Sequence, residues 1–335
     1  MFVTSAFRHV AAAVLLAGLA AAWPARAQAP VGLGLEGIAY PHPVRYLAVD
    51  VHGAPARMAY MDVAPQGAAN GRTVVLLHGR NFFGEYWSAT ITALTARGYR
   101  VVVPDQVGFG KSSKPDAHLS LHLLARHTHA LLEHLGVRRA HVVAHSLGGM
   151  VGIRFALMYP DMVDRLVLEA PIGLEDYRIR VPYAALDELE AEALRQGKPD
   201  IDRFFRSFFA RWDPAWQLYA DVAAGWLAGP EASRAARTAA LTYTMAWEQP
   251  VVYELGLLDA PTLIVASTRD RAAIGRNRVP AETRSALGDF PKLTAAACQA
   301  IRRCERVLLD DVGHVPHLES PERFHAQLLA FLEQP

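Results

Sequence analysis

Ala140-His141-Val142-Val143-Ala144-His145-Ser146-Leu147-Gly148-Gly149-Met150 decides the fold. An apolar run leads into Ser146 and a helical pattern from Met150 to Tyr159 follows it, so the chain turns sharply there from strand to helix. A turn that tight is crowded two residues before and two residues after the serine, and Ala144 and Gly148 supply the small side chains it needs. The hydroxyl is then held clear of the backbone at the end of a strand. A lone small-x-Ser-x-Gly match recurs by chance; here the strand before it, the helix after it and partners elsewhere give it weight.

Those partners come in a fixed order. Asp270 closes the apolar strand Pro261-Thr262-Leu263-Ile264-Val265-Ala266 through Ser267-Thr268-Arg269, and His314 follows Val307-Leu308-Leu309-Asp310-Asp311-Val312-Gly313. Upstream, Thr73 to Leu77 reads as a buried strand ending in His78-Gly79-Arg80-Asn81-Phe82, and a glycine-rich loop runs through Pro104-Asp105-Gln106-Val107-Gly108-Phe109-Gly110-Lys111-Ser112. Taken together, these segments resemble the α/β-hydrolase superfamily, whose triad runs Ser, Asp, His along the chain. They span Leu76 to Pro321.

The resemblance implies an α/β-hydrolase fold: a mostly parallel sheet flanked by helices, with a helical cap inserted between the sixth and seventh strands. It also implies a serine hydrolase of the esterase or lipase kind, working through an acyl-enzyme with no cofactor. Ser146 is the expected nucleophile, His314 the base and Asp270 the acid that orients it, while the backbone N–H groups of Leu147 and Arg80 form the expected oxyanion hole. Glu169, at the end of the sixth strand, is the rival acid. His78 and Asp105 are expected to fix their loops rather than to react. The Arg80 side chain is expected to turn away into a salt bridge, the alternative being contact with an acidic group on the substrate.

Composition agrees with one large α/β domain carrying an insertion. The chain has 335 residues, 52% hydrophobic and 20% charged, with a formal net charge of +1. That balance, with no basic run longer than Arg138-Arg139 or Arg302-Arg303, argues against nucleic acid as a partner. His118 and His122 have i, i+4 spacing, with His127, His129 and His134 nearby, but no carboxylate or cysteine matches them; an exposed polar helix face is expected, and no metal.

Residues 1–27 read as a secretory signal peptide, with Arg8 and His9 ahead of an apolar stretch from Val10 to Ala22 and a small-x-small site at Ala25-Arg26-Ala27. The apolar stretch, about 13 residues, is shorter than the roughly 20 needed to span a bilayer, so cleavage and export to the periplasm or medium are expected, with no stable membrane span. Both cysteines, Cys298 and Cys304, lie in the exported part, where an oxidising compartment favours a bridge. Six residues apart, they pair only if the helix that carries Cys298 ends between them.

Along the chain, Val44 to Val63 alternates as an antiparallel hairpin broken at Asp50 to Pro55, and residues 28–43 read as a loose Gly- and Pro-containing leader. Strands are expected near Thr73–His78, Arg100–Pro104, His141–Ala144, Arg165–Glu169, Pro261–Ala266 and Arg306–Leu309, and helices near Tyr86–Arg97, Ser120–Leu135, Leu147–Tyr159 and Pro321–Leu332. A hydrolase core at 28–172 and 259–335 and a helical cap at 173–258 follow. The cap is rich in aromatics, including Phe204, Phe205, Phe208, Phe209, Trp212, Trp216, Tyr219 and Trp226; their spacing assigns most of them to the cap's own core.

A nucleophilic serine points to acyl transfer, since related haloalkane dehalogenases and epoxide hydrolases place Asp at that position. The expected partner is a small ester-like molecule. A lactonase or a carbon–carbon bond hydrolase on the same fold is the alternative, and from another class, a non-catalytic ligand-binding member.

Overall fold

The computed structural model of the protein describes Met1 and residues 29–334. The expected signal peptide therefore lies outside the described residues. Eight strands form one sheet: β1 (Val44–Val51), β2 (Ala54–Val63), β3 (Thr73–Leu77), β4 (Arg100–Pro104), β5 (Ala140–His145), β6 (Val163–Glu169), β7 (Thr262–Ser267) and β8 (Cys304–Leu309), in the order β1-β2-β4-β3-β5-β6-β7-β8. β1 and β2 are the expected hairpin; β2 pairs antiparallel with β4, and every pairing from β4 to β8 is parallel.

Parallel strands need crossovers, and helices supply them. Core helices are α1 (Ser88–Thr95), α2 (Leu121–His134) and α3 (Leu147–Met158). Strands β5 and β7 are buried along their whole length, as their unbroken apolar runs require of strands covered on both faces. Edge strand β8 is more open.

The cap lies between β6 and β7 and holds α4 (Leu186–Leu194), α5 (Lys198–Arg206), α6 (Gln217–Ala228) and α7 (Ala232–Glu248). Beyond β7 come α8 (Ala281–Ala286), α9 (Phe290–Ala300), α10 (Pro316–Glu319) and α11 (Pro321–Leu332). The helix α9 ends between the two cysteines, and Cys298 and Cys304 form the expected disulfide, tying that helix end to the first residue of β8. Among the described residues no helix is long and apolar enough to cross a membrane.

The leader expected to be loose is instead packed. Leu33 and Leu35 are buried, Val31 N–H donates to the Gly225 carbonyl of α6 at 3.1 Å, and the Trp226 indole donates to the Gly32 carbonyl at 3.1 Å. Tyr40 reaches the core by donating to Asp105 at 2.7 Å. Glycine and proline counts suggested slackness, but apolar side chains at 31, 33 and 35 give the segment a cap surface to bury against. The helix expected at 86–97 is shorter because a tight 3-10 turn, Gly84–Trp87, occupies its first turn. His127, expected on an exposed face, is buried on the inner side of α2 and bonds the Asp50 carbonyl of β1 at 2.9 Å.

Candidate active site

All parallel strands point one way, so the ends of β3, β5, β7 and β8 open onto the same edge of the sheet, the usual place for a site in such folds. Ser146 leaves β5 with φ 54° and ψ −117°, a conformation an L-residue holds only when its surroundings enforce it. The enforcement is close packing of α3 against the end of β3. A Cβ on Gly148 would lie 2.3 Å from the Leu77 carbonyl oxygen and 2.6 Å from that of His78, so no larger residue fits. Gly79 is confined in the same way: its Cβ would stand 2.7 Å from the His145 ring and 3.0 Å from Ser146 Cβ.

The three expected residues meet. His314 Nε2 lies 2.8 Å from Ser146 Oγ, and His314 Nδ1 lies 2.7 Å from Asp270 Oδ2. Asp270 Oδ1 in turn accepts from the Ala272 N–H at 2.8 Å, which fixes the carboxylate plane. All three are buried. Glu169, the rival acid, turns the other way: both its oxygens bond His317 Nδ1, and Oε1 also accepts the His317 N–H at 2.8 Å. Burial pushes the Glu169 carboxyl up to about 7 and holds His317 well below the ordinary histidine range.

Sequence reasoning missed the scaffold behind this triad. Burial pushes His145 down to about 3, so its ring is neutral near pH 7, with one donor and one acceptor nitrogen. His145 Nε2 donates to the His314 carbonyl at 2.8 Å, which leaves Nδ1 to accept from the Tyr86 hydroxyl at 3.1 Å; Tyr86 Oη accepts from the Gly79 N–H at 2.8 Å. One relay thus joins the loop after β3 to the backbone of His314 through the residue preceding Ser146. The only signal for it was a polar residue ending an apolar strand.

Glu319 was missed as well; it accepts from the N–H groups of Gly313, Ala210 and Arg211 and ties the His314 loop to the cap. His78 and Asp105 act as expected. His78 Nε2 accepts from the Gln106 N–H, and Asp105 accepts from the N–H groups of Gly84 and Lys111, so each braces a loop.

The Arg80 and Leu147 N–H groups, the expected oxyanion donors, have no acceptor among the described residues. The Arg80 side chain departs from expectation. No carboxylate meets it among the described residues; Nη2 donates to the Ala239 carbonyl at 2.9 Å and Nε to the Thr242 hydroxyl at 3.3 Å, both on α7. The chain after β3 runs beneath the cap, where the nearest acceptors are those of a helix backbone rather than of a surface acid. Desolvation lowers the guanidinium to about 10.

Over the site lies a cavity of about 680 Å³. Its wall includes Arg80, Asn81 and the cap residues Phe204, Phe205, Phe208, Tyr219 and Trp226; Ser146 and His314 are not part of it. The Phe208 ring sits 5.4 Å from that of His314. Five of the eight cap aromatics therefore face the cavity, and only Phe209, Trp212 and Trp216 form a separate stack, so fewer are spent on the cap's own core than spacing suggested. Helical spacing finds one face of a helix but not what that face meets.

Known proteins share this fold. The pattern of the Alpha/beta hydrolase family matches residues 74–327. A probable hydrolytic enzyme from Pseudomonas aeruginosa PAO1 superposes with a TM-score of 0.89 at 44% identity, over 92% of this chain and 100% of that one. A second hydrolase from Pseudomonas aeruginosa PA01 gives 0.65 at 26% identity, over 87% and 98%. A haloalkane dehalogenase of Mycolicibacterium paratuberculosis is 35% identical over 133 residues, 38% of this chain and 43% of the dehalogenase; the chain thus matches less than half the length of that curated relative. A family pattern spanning β3 to α11 and a structure matched from end to end agree on the fold: this chain belongs to the alpha/beta hydrolase family.

Proposed function

We propose that this hydrolase cleaves carboxylic esters through an acyl-enzyme. The observation that carries the reading is the unbroken line from Asp270 through His314 to Ser146 Oγ at the end of β5. As Oγ attacks the ester carbonyl, His314 Nε2 takes its proton, and Asp270 holds the ring in the tautomer whose Nε2 is free to accept. Negative charge gathers on the carbonyl oxygen, where the N–H groups of Leu147 and Arg80 receive it; losing one such donor typically costs about 3 kcal/mol of barrier. His314 then protonates the departing alcohol and activates the water that releases the acid.

Haloalkane displacement is not proposed, despite the dehalogenase likeness, because Ser146 stands where those enzymes carry Asp. A fluorophosphonate probe should label Ser146 and no other residue, and p-nitrophenyl esters should turn over faster than a lactone or a ring-cleavage dienoate. Absence of labelling on folded protein overturns the serine mechanism; faster turnover of the lactone or dienoate overturns the ester assignment.

We propose, too, that the chain is exported and cleaved after Ala27. The basic, apolar and small-x-small order of residues 1–27 supports this, as does a disulfide suited to an oxidising compartment. Mass spectrometry of the exported fraction should find a chain beginning near Gln28; a full-length cytoplasmic product overturns it.

A further inference from the structure

Positive charge is left uncompensated on the cavity wall. Arg80, Arg271, Arg276 and Arg284 all line it, and among the described residues none of the four meets a carboxylate. Arg80 spends its bonds on Ala239 and Thr242, Arg271 on the carbonyls of Thr268 and Asp270, and Arg284 on that of Val279. Arg276 Nε is buried with no partner among the described residues. The two acids on the same wall are already engaged, Glu192 by Arg278 and Asp200 by Arg203.

Two further observations point to a ligand. The Tyr243 hydroxyl, on the same wall and within electrostatic reach of Arg80, is also buried without a partner among the described residues. Arg276 is depressed by desolvation and by the like charges of Arg284 and Arg271, so these cations crowd one another instead of neutralising anything. Holding cations together in a partly desolvated wall is unfavourable unless an anion completes the set. The chain as a whole is nearly neutral, so this excess belongs to the cavity.

We propose that the substrate is an ester bearing a second, anionic group, a carboxylate or a phosphate, remote from the scissile bond, and that this group is bound in the cavity by Arg80, Arg276 and the Tyr243 hydroxyl, with Arg271 and Arg284 adding to the field. The proposal rests on the ester-hydrolase reading above. Arg80 joins the two functions, since its N–H is an expected oxyanion donor and its side chain lines the cavity. A neutral acyl or alcohol group in the same place would leave Arg276 Nε and the Tyr243 hydroxyl unpaired.

The test compares each anionic ester with its neutral counterpart on the whole enzyme. One set is p-nitrophenyl hydrogen adipate against p-nitrophenyl hexanoate; the other is the butanoates of glycolate and of ethanediol monophosphate against ethyl butanoate. In wild type at least one anionic member should exceed its neutral counterpart in kcat/KM. That ratio should fall at least tenfold in Arg276→Gln and in Arg80→Lys, the scale of a charge-assisted hydrogen bond. The glycolate and phosphate arms tell carboxylate from phosphate.

Calorimetry on the Ser146→Ala protein gives a readout free of turnover: adipate or inorganic phosphate should bind, hexanamide should not, and Arg276→Gln should weaken the anion at least tenfold. Rapid turnover of neutral esters without anionic preference, or anion affinity unchanged by Arg276→Gln, overturns the inference while leaving the serine mechanism standing. No labelling of Ser146 and no turnover of any ester, with anion binding intact, overturns the mechanism instead.

Discussion

Two carboxylate–imidazole pairs lie close together in the same protein, and only one of them can do chemistry. Asp270 with His314 and Glu169 with His317 have similar bonds, 2.7 Å against 2.9–3.0 Å, and both pairs are buried. What differs is the far nitrogen. His314 Nε2 meets the Ser146 hydroxyl, whereas among the described residues His317 Nε2 meets no hydroxyl or other proton donor, and its ring stacks on Trp87 at 4.1 Å. A dyad becomes a base only where a proton donor waits beyond it; without one, it is a buried polar brace whose carboxyl is costly to ionise.

The two acids should differ most in kinetics. Asp270→Asn should lower ester turnover by about 10⁴-fold, because the amide holds the wrong His314 tautomer, while Glu169→Gln should change it by less than about tenfold. Steady-state rates of the two purified variants check this, and the reverse order would exchange the roles of the two acids.

Stability against pH sharpens it next. Glu169 holds its proton more tightly folded, at about 7, than in an unfolded chain, where the carboxyl titrates near 4.5. Its contribution is therefore full below pH 4.5 and is lost as the pH rises through 7, by about 3 kcal/mol for a shift of that size. Denaturant melts should show Glu169→Gln gaining on wild type over that window. A constant difference between the two across it would mean that Glu169 is ionised throughout.

The smallest expected effect concerns the strand that leads to both histidines. The Cys298–Cys304 bridge closes a short loop at the foot of β8, so reduction should cost about 2 kcal/mol by the chain-entropy model. Thermal melts of oxidised and reduced protein measure it. Fluorophosphonate labelling of Ser146 should survive reduction, since the bridge lies at the opposite end of β8 from His314; loss of labelling at unchanged melting temperature would mean that the bridge holds the triad.

Much of this was legible in the chain because the determinants are local. The serine turn depends on residues within a few positions of Ser146, the parallel strands on unbroken apolar runs, and the disulfide on a helix ending at Ala300. Asp270 and His314 were found by their positions after two such strands. What was not legible depends on where distant segments meet. Arg80 lacks a carboxylate because α7 passes over it from 159 residues away, and the bond of Glu169 to His317 crosses 148. The His145–Tyr86–Gly79 relay joins three segments that no spacing rule connects. Cap aromatics failed for the same reason, since a helix's pattern names a buried face without naming what buries it.

The leader has a mechanical consequence. A cap joined to its core only where the chain enters and leaves can rotate about the line through those two crossings. Residues 31–40 add a further attachment to those made by Glu319 and Arg80, with Val31 and Gly32 bonded to α6 at one end and Tyr40 bonded to Asp105 at the other. Each such anchor opposes the swing. Opening toward Ser146 is then expected to depend more on side chains, such as Phe208 beside His314, than on the cap lifting as a whole.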